Sequence, residues 1–136
     1  LHMDDLQLKQ SYSGMSAYSQ SKLANILHAA ALAVPLSRDN ILINACHPGV
    51  VATNFASGES GVFGFIFKLF KWAMITPERG AETPLFLAIG DLPEPSSGRY
   101  YDKCRPRKPT AIAQDDEQAH KLLELSQNLI DAIVSK

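Results

Sequence analysis

The chain has 136 residues, 46% of them apolar and 20% charged, which is ordinary globular composition and enough for one domain with a real core. With 13 Lys and Arg against 14 Asp and Glu the net charge is −1, so the balance argues against a nucleic-acid partner. Cys46 and Cys104 form neither a metal-ligand spacing nor a disulfide framework, and two reduced thiols suit an intracellular, cytoplasmic protein. The first ten residues carry no apolar secretory core, and no run is long enough to span a bilayer.

Along the chain, the first dozen residues read as polar and irregular. Tyr18 to Leu36 reads as a helix, with Leu23, Ile26, Leu27, Ala30, Ala31 and Val34 recurring at three- and four-residue steps to give one buried stripe. Pro35, followed by Ser37, Asp39 and Asn40, is the expected stop. Residues 41–46 form a nearly continuous apolar run, as in a strand covered on both faces of a parallel sheet, and His47-Pro48-Gly49 closes it. Thr76, Pro77 and Glu78 open a second helix as cap, first-turn proline and dipole-complementing acid, and it should end near Ile89. Residues 97–102 read as a second strand, 105–109 as a basic loop broken by proline, and the chain from Asp115 as a closing amphipathic helix.

Three helices and two strands do not complete a parallel α/β layer, because a doubly buried strand needs neighbours on both sides. The expectation is therefore that 1–136 is a fragment of one α/β domain, strands supplied from elsewhere being the alternative.

The strongest chemical signal is Ala17-Tyr18-Ser19-Gln20-Ser21-Lys22-Leu23-Ala24-Asn25. Four residues apart on a helix, Tyr18 and Lys22 share one face. An ammonium beside a phenol favours the phenolate, which can exchange a proton with a carbonyl or alcohol oxygen. Such spacing also arises by chance as an aromatic beside a solvated lysine. The second signal is His47-Pro48-Gly49-Val50-Val51-Ala52-Thr53, a Pro-Gly turn at the carboxyl end of a strand, where open α/β sheets bind ligands; a plain turn is the bland alternative. Glycine there lets backbone approach a ligand closely.

In this order the motifs resemble the short-chain dehydrogenase/reductase family. Thr76-Pro77-Glu78-Arg79-Gly80-Ala81 and Ser97-Gly98-Arg99-Tyr100-Tyr101 look like its later elements, and the wording around Lys22 and His47 is similar to the retinol-dehydrogenase-like branch. The resemblance implies the C-terminal part of a Rossmann-type doubly wound parallel sheet, with two strands and three to four helices in this chain. It implies an NAD(P)-dependent oxidoreductase acting on an apolar alcohol, aldehyde or ketone, NADP being slightly favoured over NAD. Tyr18 would be the acid/base and Lys22 its activating partner, which also binds the nicotinamide ribose. Pro48, Gly49, Val50 and Val51 would hold the carboxamide, and Thr53 the carboxamide or pyrophosphate. The family's Gly-rich phosphate loop does not occur here, nor does its catalytic serine: Ser11, Ser13 and Ser16 lie too close to Tyr18 to be that residue. The competing class is a non-catalytic binding module that keeps this half for contact with a partner or membrane.

Residues 62–75 are unusually apolar, and by the same resemblance they lie in the substrate-binding loop, with Phe63, Phe67, Phe70 and Trp72 walling an apolar substrate. The alternatives are a peripheral, interfacial helix with Lys68 and Lys71 at head groups, or an ordinary packed lid. His28 reads as core or subunit contact, which admits a homodimer, and no residue set reads as a metal site. Arg105 to Lys108 reads as solvated, with anionic-lipid contact as the alternative.

Overall fold

The computed structural model describes residues 1–49 and 75–135. Its regular elements are α1 (Gly14–Ser37), β1 (Ala45–His47), α2 (Pro77–Ile89), β2 (Tyr100–Asp102), β3 (Arg105–Arg107) and α3 (Asp116–Val134), with short 3-10 turns at Met3–Asp5 and Ala111–Gln114. The architecture is α/β, with the strands in the order β1-β2-β3. Gly98 N–H donates to the Ile43 carbonyl and Ala45 N–H to that of Arg99, so the partners rise together and this pairing is parallel. β2 turns straight back into β3, which makes the second pairing antiparallel. The chain divides into two compact units, one of Leu1–Ala45, Pro93–Tyr100 and Arg107–Lys136, the other of Cys46–Leu92 and Tyr101–Pro106.

In the first unit, α1 packs on α3 around Leu27, Ala31, Ala119 and Leu122. Ser13 caps α1, its Oγ accepting from Ser16 N–H at 3.5 Å. The helix therefore starts four residues before Tyr18, a cap that the apolar periodicity does not show. It also runs through Pro35, contrary to expectation. The stop is supplied by Asn40 at φ 57°, with Asn40 N–H donating to the Ser37 carbonyl and Ile41 N–H to that of Leu36. This is the Schellman pair of bonds around a left-handed residue. Pro35 has no N–H to give the Ala31 carbonyl, so the last turn of α1 forgoes one bond of the ladder.

The expected buried stripe is only half right. Leu27 and Ala31 are buried, but Val34 is 70% exposed and Ala29 is buried instead. On α3, Ala119 and Leu122 are buried while Leu129, Ile130 and Ile133 face outward. The first ten residues are more ordered than their polarity suggests. Asp5 accepts from the Lys9 and Gln10 amides at 2.8 and 2.9 Å, which holds its carboxyl below the usual range. Gln20 of α1 donates to the Leu6 carbonyl at 3.1 Å and accepts from His2 N–H at 2.8 Å.

Two strand readings need correction. The apolar run over 41–46 gives a strand only at Ala45–His47, with Ile41 and Leu42 about half exposed. Upstream of β1 the extended backbone is fastened by side chains. Asn44 Nδ2 donates to the Ser96 carbonyl at 2.8 Å and its Oδ1 accepts from Arg99 N–H at 2.9 Å, while Ser97 Oγ accepts from Ile43 N–H at 3.1 Å. The basic loop at 105 is in fact β3, a third strand where two were expected. Lys103 and Cys104, at φ 52° and 58°, form the two-residue hairpin turn that normally selects Asn-Gly. In the second unit the turn is held from α2: buried Thr83 accepts the Cys104 N–H on Oγ1 at 3.2 Å, and Phe86 lies 6.2 Å from the fully buried ring of Tyr101. α2 itself agrees with expectation, Thr76 Oγ1 accepting from Arg79 N–H ahead of Pro77.

Candidate active site

Ser13 fixes where α1 begins, and so places Tyr18 in its second turn with Lys22 one turn further along the same face. The Lys22 Nζ lies 5.4 Å from the centroid of the Tyr18 ring, a cation-π distance. Tyr18 is 51% exposed and Lys22 is exposed, and among the described residues neither the Tyr18 hydroxyl nor the Lys22 ammonium has a hydrogen bond or ion pair. Among the described residues, nothing engages either polar end. Ser21, between them, donates to the Tyr18 carbonyl at 2.7 Å, so its hydroxyl is engaged by the helix backbone. A recess of about 280 Å³ lies beside this face, lined by Ala17, Gln20, Ser21, Ala24, His28 and Leu122 among others, but neither Tyr18 nor Lys22 lines it. His28 is engaged there with Ser126 of α3, Nε2 to Oγ at 3.1 Å.

In the second unit β1 ends at His47, and Pro48 and Gly49 follow, Pro48 exposed and Gly49 partly so. Gly49 has φ 81°, and a Cβ there would lie 2.5 Å from Ile75 Cδ1. The left-handed backbone thus favours glycine here before any ligand is considered, while the Ile75 side-chain end could move aside. Burial pushes the Cys46 thiol up, which favours its neutral form at the strand end. Val50, Val51 and Thr53, like Phe63, Phe67, Phe70 and Trp72, lie outside the described residues. The structure thus brings Tyr18 and Lys22 together on one helix face and gives the Pro-Gly turn its own geometry.

Sequence reasoning overlooked the side chains that hold these elements in place. Asn44 and Ser97 fasten the approach to β1, and Thr83 fastens the β2–β3 turn. The available signal was a polar residue inside an apolar run, Asn44, which must find partners if the run is covered. Gly98, at φ 73°, had a visible signal too: a Cβ there would lie 2.9 Å from Ala33 Cβ, so the Ser-Gly pair is a close-packing device.

Comparison with known proteins gives these features a lineage. The family model described as short chain dehydrogenase matches residues 6–60, the stretch holding Tyr18, Lys22 and the Pro-Gly turn. Human retinol dehydrogenase 14 is 37% identical over 133 residues, covering 96% of this chain and 40% of that protein. Dehydrogenase/reductase SDR family member 13 of Bos taurus is 37% identical over 117 residues, covering 85% of this chain and 31% of that protein. The chloroplastic short-chain dehydrogenase TIC 32 B of Brassica napus is 36% identical over 127 residues, covering 90% and 39%. The chain thus spans 40% or less of the length of these relatives. No solved structure matches it significantly. Among the described residues no helix is long and apolar enough to cross a membrane. By its matched model and its relatives, the chain belongs to the short-chain dehydrogenase/reductase family, among sequences similar to retinol dehydrogenases.

Proposed function

We propose that this chain is the catalytic C-terminal part of an NAD(P)-dependent oxidoreductase acting on an apolar alcohol, aldehyde or ketone. The observation that carries the reading is the exposed Tyr18–Lys22 pair, with Nζ 5.4 Å from the ring and no competing partner for either polar end among the described residues. Such a pair fits a nicotinamide ribose and a reacting oxygen, because both ligands need donors that the fold has not already used. When bound, a nicotinamide would supply or accept the hydride. Tyr18 gives its phenolic proton to the carbonyl oxygen in reduction, or takes one from the alcohol in oxidation. Lys22 stabilises the phenolate electrostatically and is the residue of this chain that would hold the ribose. Pro48, Gly49, Val50, Val51 and Thr53 are proposed to hold the carboxamide end, and Phe63, Phe67, Phe70 and Trp72 to wall the substrate.

The substrate class is supported by the apolar composition of residues 62–75 and by relatives whose names specify retinol, an apolar alcohol. NADP is favoured slightly over NAD. The test uses the complete protein with NADPH or NADH and a panel of apolar aldehydes, following oxidation of the nicotinamide by absorbance. The expected result is saturable turnover with long-chain aldehydes. A protein that binds the nucleotide but turns over no member of the panel in either direction would falsify the proposal and favour a non-catalytic binding module.

A further inference from the structure

The β2–β3 hairpin concentrates the chain's charge. Five of its 13 Lys and Arg stand in residues 99–108 beside one acid, Asp102. That stretch carries +4 (5 − 1), so the rest of the chain carries −5 (−1 − 4). Lys103 sits at the turn, Arg105 and Arg107 point to one side of β3 by strand alternation, and Lys108 follows. All four are exposed, and among the described residues none has an ion pair or a side-chain hydrogen bond. Protection of an edge strand needs only a lysine or a proline, and Pro106 already serves that purpose. The turn is also fixed, since Thr83 clamps the Cys104 amide. The cations are thus presented on an ordered hairpin, which lowers the entropy lost on contact.

We propose that this hairpin docks the protein on an anionic lipid surface. A bilayer offers a plane of negative head groups that one hairpin can meet. A polynucleotide asks for a basic track along the protein, whereas these cations are gathered on one short hairpin. Each cation near such a surface strengthens binding roughly fivefold, so removing three weakens it by about 100-fold.

The experiment measures co-sedimentation of the complete protein with phosphatidylcholine vesicles, with or without about 30% phosphatidylserine, at low and high salt. Binding should require phosphatidylserine, fall with salt, and drop by about 100-fold in Arg105→Gln/Arg107→Gln/Lys108→Gln. Arg105→Lys/Arg107→Lys should keep it, and both variants should keep the parent's thermal midpoint and its turnover of soluble substrates. Equal vesicle binding by parent and glutamine variant overturns the proposal. So does salt-insensitive binding to pure phosphatidylcholine, which would assign contact to the aromatic segment 62–75. Tighter binding to heparin or single-stranded DNA than to the anionic vesicles also overturns it.

Discussion

The two ends of α1 are built for different purposes. Toward its carboxyl end Leu27 and Ala31 are buried against Ala119 and Leu122, and that end makes the core. Toward its amino end Tyr18 and Lys22 are exposed, with their polar atoms unclaimed by the described residues. One helix therefore serves as a rigid mount: packing at one end fixes the direction in which the other presents its chemistry. Residues at the core end should govern stability, and those at the exposed end turnover, with little crossover.

The sharpest way to break this comparison on the stability side is Leu27→Ala. Leu27 is fully buried, so the truncation should cost about 2–5 kcal/mol, read as a lowered denaturation midpoint in the complete protein. The surviving folded fraction should keep its KM. A variant that kept its stability would show that the α1–α3 contact is not the core described.

Two glycines sharpen the picture at smaller scale. Gly98→Ala combines a left-handed φ with a collision against Ala33 Cβ on α1, which has no rotamer to escape into. Gly49→Ala has a similar φ but meets the free end of Ile75, which can move. The φ term costs about 1–2 kcal/mol in each, and Gly98→Ala should lose roughly 1–3 kcal/mol more from overpacking. Chemical denaturation that ranked them in the opposite order would contradict the packing described.

The smallest effect concerns the cap of α3. Asp115 accepts from Gln118 N–H at 3.0 Å, and that backbone bond, with the Gln118 side chain, holds its carboxyl below the ordinary range. A depressed folded-state value means the stabilisation is present above the unfolded value and is lost as pH falls through the folded one. Asp115→Asn keeps a good cap. Its denaturation midpoint should match the parent near neutrality and fall less steeply below about pH 4. Identical acid slopes would remove the cap from the account.

Much of this was legible in the chain itself. The family and the α/β class came from the Tyr18–Lys22 and Pro-Gly motifs, and α2 from Thr76-Pro77-Glu78, because local chemistry decides those features. The end of α1 was misread because proline is conspicuous, whereas the stop depends on a left-handed Asn40 whose bonds close only in three dimensions. β3 was missed because Lys103-Cys104 lacks the usual Asn-Gly signature and is held by a tertiary bond from Thr83. The cofactor and substrate residues 50, 51, 53, 63, 67, 70 and 72 lie outside the described residues.

The most direct test of the central claim is Tyr18→Phe in the complete protein, with turnover and thermal midpoint measured on the same preparation. The phenolic hydroxyl is exposed and bonds to nothing among the described residues, so its removal should leave the midpoint within experimental error. Turnover should fall by about 100-fold or more, the usual contribution of a positioned acid/base. A Phe variant that stays within about threefold of the parent would contradict the account, because no acid/base role of Tyr18 survives that result.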